Sequence, residues 1–175
     1  MNTSSDARMD WVAPVGAALN RGWRILGTGL SFLLFGVGGI LMGLVVFPLV
    51  WLLTWNRARV HHRMQFVIHC AMRLFVEIMR GLRVMSYSIE GADKLREPGQ
   101  LLIANHPTLI DVVMVMSQVP QTSCVVKSAL FRNPFTAGPV RSAGYVPNVD
   151  SARLVDRCAQ VLAANHSLII FPEGT

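Results

Sequence analysis

From Ile25 to Trp55 the chain reads "ILGTGLSFLLFGVGGILMGLVVFPLVWLLTW", thirty-one residues with no ionisable side chain between Arg24 and Arg57. About twenty such residues already cross the hydrocarbon core of a bilayer. The run is too long and begins too late for the short apolar region of a signal peptide, so a retained membrane segment is expected. Trp23 before it and Trp51 and Trp55 at its end suit indole rings at two interfaces, with arginines just outside. A straight helix of this length would reach about 46 Å against a core of about 30 Å, so the segment must tilt, bend or turn back. "GVGG" at 36–39 lies mid-run and leaves two forms open, a spanning helix or a re-entrant hairpin of two short helices. Gly39 and Gly43 form a G-x-x-x-G pair, which we read as part of a Gly-rich apolar run. Three arginines precede the run (Arg8, Arg21, Arg24) and four follow it (Arg57, Arg59, Arg63, Arg73), too even a balance to orient it.

With 175 residues, the chain has room for one ordinary domain beside this anchor. Only 15% of the residues are charged, against about 25% in a soluble domain, and the formal net charge is +6. Fourteen of the sixteen basic residues are Arg, the exceptions being Lys94 and Lys127. The guanidinium fork suits phosphate oxygens and lipid headgroups, so membrane lipids are the expected anionic partner. Nucleic acid is set aside, because no Arg/Lys run is interleaved with aromatics and no Cys/His finger spacing occurs. Cys70, Cys124 and Cys158 are odd in number and far apart, which implies neither a zinc site nor a disulfide framework. They read as buried reduced thiols, which fits a cytoplasmic location for the soluble part.

Residues 58–84 change period. Val60, Met64, Val67, Ala71, Leu74, Ile78 and Leu82 recur at helical spacing, opposite His62, Gln65, His69, Arg73, Glu77 and Arg80. An amphipathic helix is expected, lying on headgroups or packing on the following domain with Arg73 and Glu77 as an i,i+4 pair. His61, His62 and His69 lack an accompanying acidic or Cys ligand and read as solvated helix-face histidines rather than a metal site.

Beyond Gly81 the pattern alternates. "VMSYSIEG" and "QLLIAN" read as strands, "PTLIDVVMVMSQV" as a helix opened by Pro107, "TSCVV" as a strand, "SARLVDRCAQVLAANH" as a helix and "SLIIF" as a buried strand. Such alternation predicts an α/β domain, a central sheet with flanking helices. His106 then falls at a strand-to-helix junction, where helix N–H groups are free. Asp111, five residues on, can fold back toward the imidazole if His106 stands outside the helix. "FPEGT" ends another buried strand at the rim where ligands bind in α/β sheets.

Together, "NHPTLID" and "FPEGT", in that order and about 65 residues apart, closely resemble the glycerolipid (lysophospholipid) acyltransferase family, the 1-acylglycerol-3-phosphate acyltransferases among them. The resemblance runs from about Ser86 to Thr175. Between the motifs "VVKSALFRNPFTAGPVRSAGYVPN" is similar to the family's middle block, with Lys127 opening it and Gly144 heading its glycine motif.

The resemblance implies a glycerol-3-phosphate acyltransferase-like fold and a base-assisted transfer. His106 takes the proton of an acceptor hydroxyl as it attacks a thioester, and Asp111 holds the imidazole. It implies no cofactor and no metal, with acyl-CoA or acyl carrier protein bringing the thioester as co-substrate. Glu173, Gly174 and Thr175 carry the block that binds the acceptor's glycerol phosphate, with Lys127, Gly144 and Arg141 as further substrate-binding candidates. Where the family commonly ends its middle motif with arginine, this chain has Asp150, between Arg141 and Arg153. Either arginine substitutes, or the acceptor carries no phosphate there.

The chain stops at Thr175, where the family continues with more sheet and helix, so a truncated product is expected. A membrane lipid-binding fragment without turnover is the alternative, and a hydrolase is disfavoured because there is no G-x-S-x-G elbow. The expected layout is a tail over 1–24, an anchor over 25–56, an amphipathic helix over 57–85 and an acyltransferase domain over 86–175. Its expected place is a bacterial inner membrane with the catalytic domain on the cytoplasmic face. Oligomeric state is not legible.

Overall fold

The apolar run forms one helical rod and does not fold back into a hairpin. In this computed structural model, which describes residues 12–105, 108–133, 136–149 and 151–172, helix α1 (Val12–Leu41) continues through a π-helical turn at Met42–Val46 into α2 (Phe47–Leu53). The glycines at 36–39 leave the helix intact, since isolated glycines weaken a helix without breaking it. The widened turn has a local cause. Pro48 has no N–H and its ring crowds the carbonyl four residues back, and just before it the Phe47 N–H reaches the Met42 carbonyl, five residues back. Gly16–Leu53, 38 residues, is the one helix among the described residues long and apolar enough to cross a membrane by length and composition. Gly39 and Gly43 have nothing within 4 Å of where a Cβ would stand, so the G-x-x-x-G pair packs no helix within the chain.

After a three-residue break the chain returns antiparallel as α3 (Arg57–Gly81). Phe35 and Phe75 meet with ring centroids 5.2 Å apart, and the Trp23 indole N–H donates to the Leu82 carbonyl at 2.8 Å. A Cβ on Gly27 would fall 2.6 Å from Val84 Cγ2, so glycine is what allows that approach. The returning helix therefore runs beside the apolar rod for most of its length.

On its other side α3 joins the domain. Val60, Met64 and Ile68 are buried with Met116, Cys124, Ile169 and Phe171 in one core cluster. Three polar side chains expected on a solvated face also bond to the domain here, Gln65 and His69 buried and His61 exposed. The Gln65 amide donates to the Ala143 carbonyl at 2.9 Å, His69 Nδ1–H to that of Met116 at 3.1 Å, and His61 Nδ1–H to that of Ser142 at 2.9 Å. The reason is the unsatisfied carbonyls at helix C-termini: Met116 ends helix α4 (Leu109–Met116), and Ser142 and Ala143 end helix α5 (Ala137–Ser142). His62 instead stacks on His166 with centroids 4.2 Å apart. Nor does Glu77 pair with Arg73. It takes Arg80 at 3.0 Å and the Tyr87 hydroxyl at 3.1 Å.

Strands β1 (Leu101–Ile103), β2 (Thr122–Lys127), β3 (Val146–Asn148) and β4 (Ser167–Ile170) form a parallel sheet in the order β1-β4-β2-β3. Side chains alternate across it. Cys124 and Ile169 face α3 and α4, while Val125 and Leu168 face Leu154, Cys158, Val161 and Leu162 of helix α6 (Ser151–Ala163). The fold is thus the expected α/β type with helices on both sheet faces. Two local differences stand out. Residues 84–91 form no strand; Tyr87 ties that segment to α3 instead of to a sheet edge. β3, unforeseen because Pro147 interrupts its apolar pattern, sits at the sheet edge, where a missing N–H is tolerated.

Candidate active site

Two strands far apart in sequence bring the starts of the two motifs to one rim. β1 and β4 are neighbours in parallel register, Leu101 with Leu168, Leu102 with Ile169 and Ile103 with Ile170. The ladder continues one step further, the Ala104 N–H donating to the Ile170 carbonyl at 3.1 Å. In the sequence His106 stands three residues after Ile103, and Glu173 three after Ile170. Parallel strands end side by side, so the chain leaves the sheet toward both motifs from the same carboxyl edge, the usual ligand edge of α/β sheets. His106, Pro107, Asp150, Glu173, Gly174 and Thr175 themselves lie outside the described residues.

Asp111 lies in the first turn of α4 and is held there. Its Oδ2 accepts the Thr108 backbone N–H at 2.8 Å and the Thr108 hydroxyl at 2.7 Å. The helix begins at Leu109, two residues later than the expected start at Pro107, because Thr108 is the N-cap, extended at φ −135° and ψ 156°. A Thr at N-cap with an acid three residues on forms a capping box, and the pattern T-x-x-D was readable in "TLID". Thr108 is thus the site residue that motif reasoning passed over.

Lys127 joins the same rim. It ends β2 opposite Asn148, the last residue of β3, and the β2–β4 register carried three residues past Cys124 and Ile169 brings it level with Pro172. Its side chain is exposed. Arg141, also exposed, donates to the Phe131 carbonyl at 3.1 Å, in the short turn that follows β2.

Gly144 is elsewhere. It precedes β3, at the amino edge of the sheet, and accepts the Ser123 hydroxyl at 2.9 Å. Ser123 lies four residues before Lys127, about 13 Å along the strand. Its φ of +67° and the His61 ring, whose Nδ1 would stand 3.1 Å from a Cβ, explain why glycine is there. The structure gives it a turn-forming place under α3.

A cleft of about 480 Å³ also opens at the amino edge, between Val50, Leu53, His62, Arg63, Phe66 and Gln121. It is remote from the rim that β1, β2 and β4 share. Near it, burial, then His62 and His61, pull the His166 imidazole below its ordinary range. Within the core, burial pushes the Cys124 thiol up to about 12, which removes it as a nucleophile. Among the described residues no three His, Cys, Asp or Glu side chains gather as metal ligands.

A family model described as Acyltransferase matches residues 86–175, more than half of the chain. Among the curated proteins and among the solved structures nothing matches.

Proposed function

The chain belongs to the acyltransferase family, and from that premise we propose that it moves a fatty acyl chain from an acyl thioester to the hydroxyl of a lysophospholipid such as 1-acylglycerol-3-phosphate. The observation that carries the reading is the β1–β4 register, which sends "NHPTLID" and "FPEGT" from one sheet edge. A general base and an acceptor-binding block are useful to each other only when they share one rim.

In the proposed step His106 takes the proton from the acceptor hydroxyl as its oxygen attacks the thioester carbonyl carbon. The new C–O bond forms, the tetrahedral intermediate collapses with cleavage of the C–S bond, and the imidazolium returns the proton to the departing thiolate. No covalent enzyme intermediate is required. Imidazole suits this exchange because its ordinary pKa is close to working pH. Asp111 fixes its tautomer and favours the imidazolium that forms. Lys127 offers a cation at the same edge for the acceptor phosphate, with Glu173, Gly174 and Thr175 completing that side and Arg141 beyond it. The donor is acyl-CoA or acyl carrier protein.

We further propose that the apolar rod rests in a membrane along the side of the domain. Leu26, Leu33, Leu44 and Leu52 are 71%, 62%, 74% and 73% exposed, a surface that water does not favour. The adjoining α3 carries Arg59, Arg63, Arg73 and Arg80 beside the rod. A perpendicular crossing would draw those arginines into hydrocarbon at a cost of about 2.5–3.5 kcal/mol each. An in-plane position in one leaflet avoids this. Only Cys124 of the three free thiols is buried, Cys158 being half-buried and Cys70 exposed against expectation; unpaired thiols fit a reducing compartment, hence the cytoplasmic side.

The test is acyl transfer by the purified full-length protein from palmitoyl-CoA or palmitoyl-acyl carrier protein to 1-acylglycerol-3-phosphate. Phosphatidic acid is the expected product. A folded protein that acylates neither this acceptor nor another lyso-lipid with either donor contradicts the proposal.

A further inference from the structure

Thr108 grips the Asp111 carboxylate through two bonds. Thr108 N–H and Thr108 Oγ1–H both fall on Oδ2, at 2.8 and 2.7 Å. An ordinary capping box uses the N-cap hydroxyl as an acceptor for the helix backbone. Here the Thr108 hydroxyl does that for the Asp111 backbone N–H and also donates to the acid itself. Two donors on one oxygen fix both the position and the rotation of the carboxylate plane, and they leave Oδ1 to partners other than Thr108.

We propose that Thr108 is a positioning residue for acyl transfer, holding the Asp111 carboxylate in the orientation that lets it steer the general base. The inference rests on the acyl-transfer reading above and adds to it a residue that never touches substrate. Its chemistry follows from geometry. A carboxylate on the first turn of a helix can rotate about its last side-chain bond with little hindrance. An orienting carboxylate must instead present one oxygen along one direction, because a base turned away from its reacting proton loses most of its effect. The β-branched Thr108 is stiff at its own first torsion, and its extended backbone is set by the N-cap role. Its hydroxyl is thereby a fixed post for Oδ2.

A capping role alone and a positioning role predict different kinetics. Thr108→Val keeps the shape and the backbone N–H but removes the hydroxyl donor; Thr108→Ser keeps the donor. The full-length protein is assayed with palmitoyl-CoA and oleoyl-lysophosphatidic acid, with circular dichroism and a thermal melt for each variant. Positioning predicts that Thr108→Val lowers kcat by about tenfold or more, the usual effect of losing a hydrogen bond to a charged group. Both KM values should stay within about twofold, and Thr108→Ser should recover most of the rate.

Adding Thr108→Val to Asp111→Asn should cost less than about twofold more, since the two act as one unit. A folded Thr108→Val protein with the wild-type kcat, or one whose loss is undiminished beside Asp111→Asn, overturns the proposal while leaving the acyl-transfer reading in place. Wild-type kcat in Asp111→Asn would fail that reading first, and this inference with it.

Discussion

Ile103 and Ile170 are register partners in a parallel pair, sixty-seven positions apart in the chain yet adjacent at the carboxyl edge of the sheet. That pairing places the departure points of two motifs side by side. It rests on Leu168 and Ile169, both 0% exposed and facing opposite layers. Replacing Leu168 by Ala removes packing against α6 and should destabilise the fold by about 2–5 kcal/mol. Denaturant unfolding measures the loss, and a cost under about 1 kcal/mol would mean that β4 is not the buried centre of this sheet.

Acid should loosen the contact between α3 and the domain. Burial and the neighbouring His62 and His61 hold the His166 pKa below its unfolded value, which is about 6.5. Below that value the unfolded chain binds more protons than the folded one, so this contribution is complete above about pH 6.5 and is lost as pH falls through the folded pKa. Unfolding midpoints measured from pH 7.5 down to pH 5 should therefore fall, and fall less in His166→Gln. Equal slopes in the two proteins would show that the His62–His166 stack carries no pH-dependent stability.

Membrane attachment should depend on the outer face of the rod. Leu26, Leu33 and Leu44 are exposed, so changing all three to Glu leaves the described packing alone while removing about 1.5–3 kcal/mol of apolar transfer for each residue. The wild type should stay with membranes through high salt and alkaline carbonate, and the triple variant should be released. Release of the wild type by carbonate would contradict an inserted rod, and retention of the variant would contradict this face.

Lys127 should matter for charged acceptors. At the carboxyl end of β2, level with Pro172 by extension of the register, its ammonium would meet the acceptor phosphate of the proposed reaction, and a charge-assisted hydrogen bond contributes about 1.5–3 kcal/mol. Lys127→Ala should thus lower kcat/KM for 1-acylglycerol-3-phosphate by about tenfold or more and change monoacylglycerol turnover little. Equal losses with the two acceptors would remove Lys127 from phosphate recognition.

The layered α/β plan was legible because periodicity reports burial: "TSCVV" and "SLIIF" yielded buried strands, while "QLLIAN", expected to be buried too, yielded an edge strand with Leu101 and Ile103 exposed. Partnership was less legible. Nothing in the spacing of Gln65 and His69 announces that they meet the last carbonyls of α4 and α5, because a helix end becomes a partner only in three dimensions. The hairpin alternative rested on the glycines at 36–39, which lower helix propensity without breaking a helix. Gly144 looked like a ligand contact from its motif, and its positive φ beneath His61 supplies a structural reason for the same residue. The N-cap role of Thr108 is written in "TLID", a T-x-x-D pattern that lies between the His and the Asp of the motif.

The most direct test of the mechanism is acyl transfer by full-length His106→Ala, compared with wild type under saturating palmitoyl-CoA and oleoyl-lysophosphatidic acid. Removing a positioned general base should lower kcat by about 100-fold to 10,000-fold, with both KM values and the circular dichroism spectrum nearly unchanged. Wild-type kcat in a folded His106→Ala protein would contradict the account.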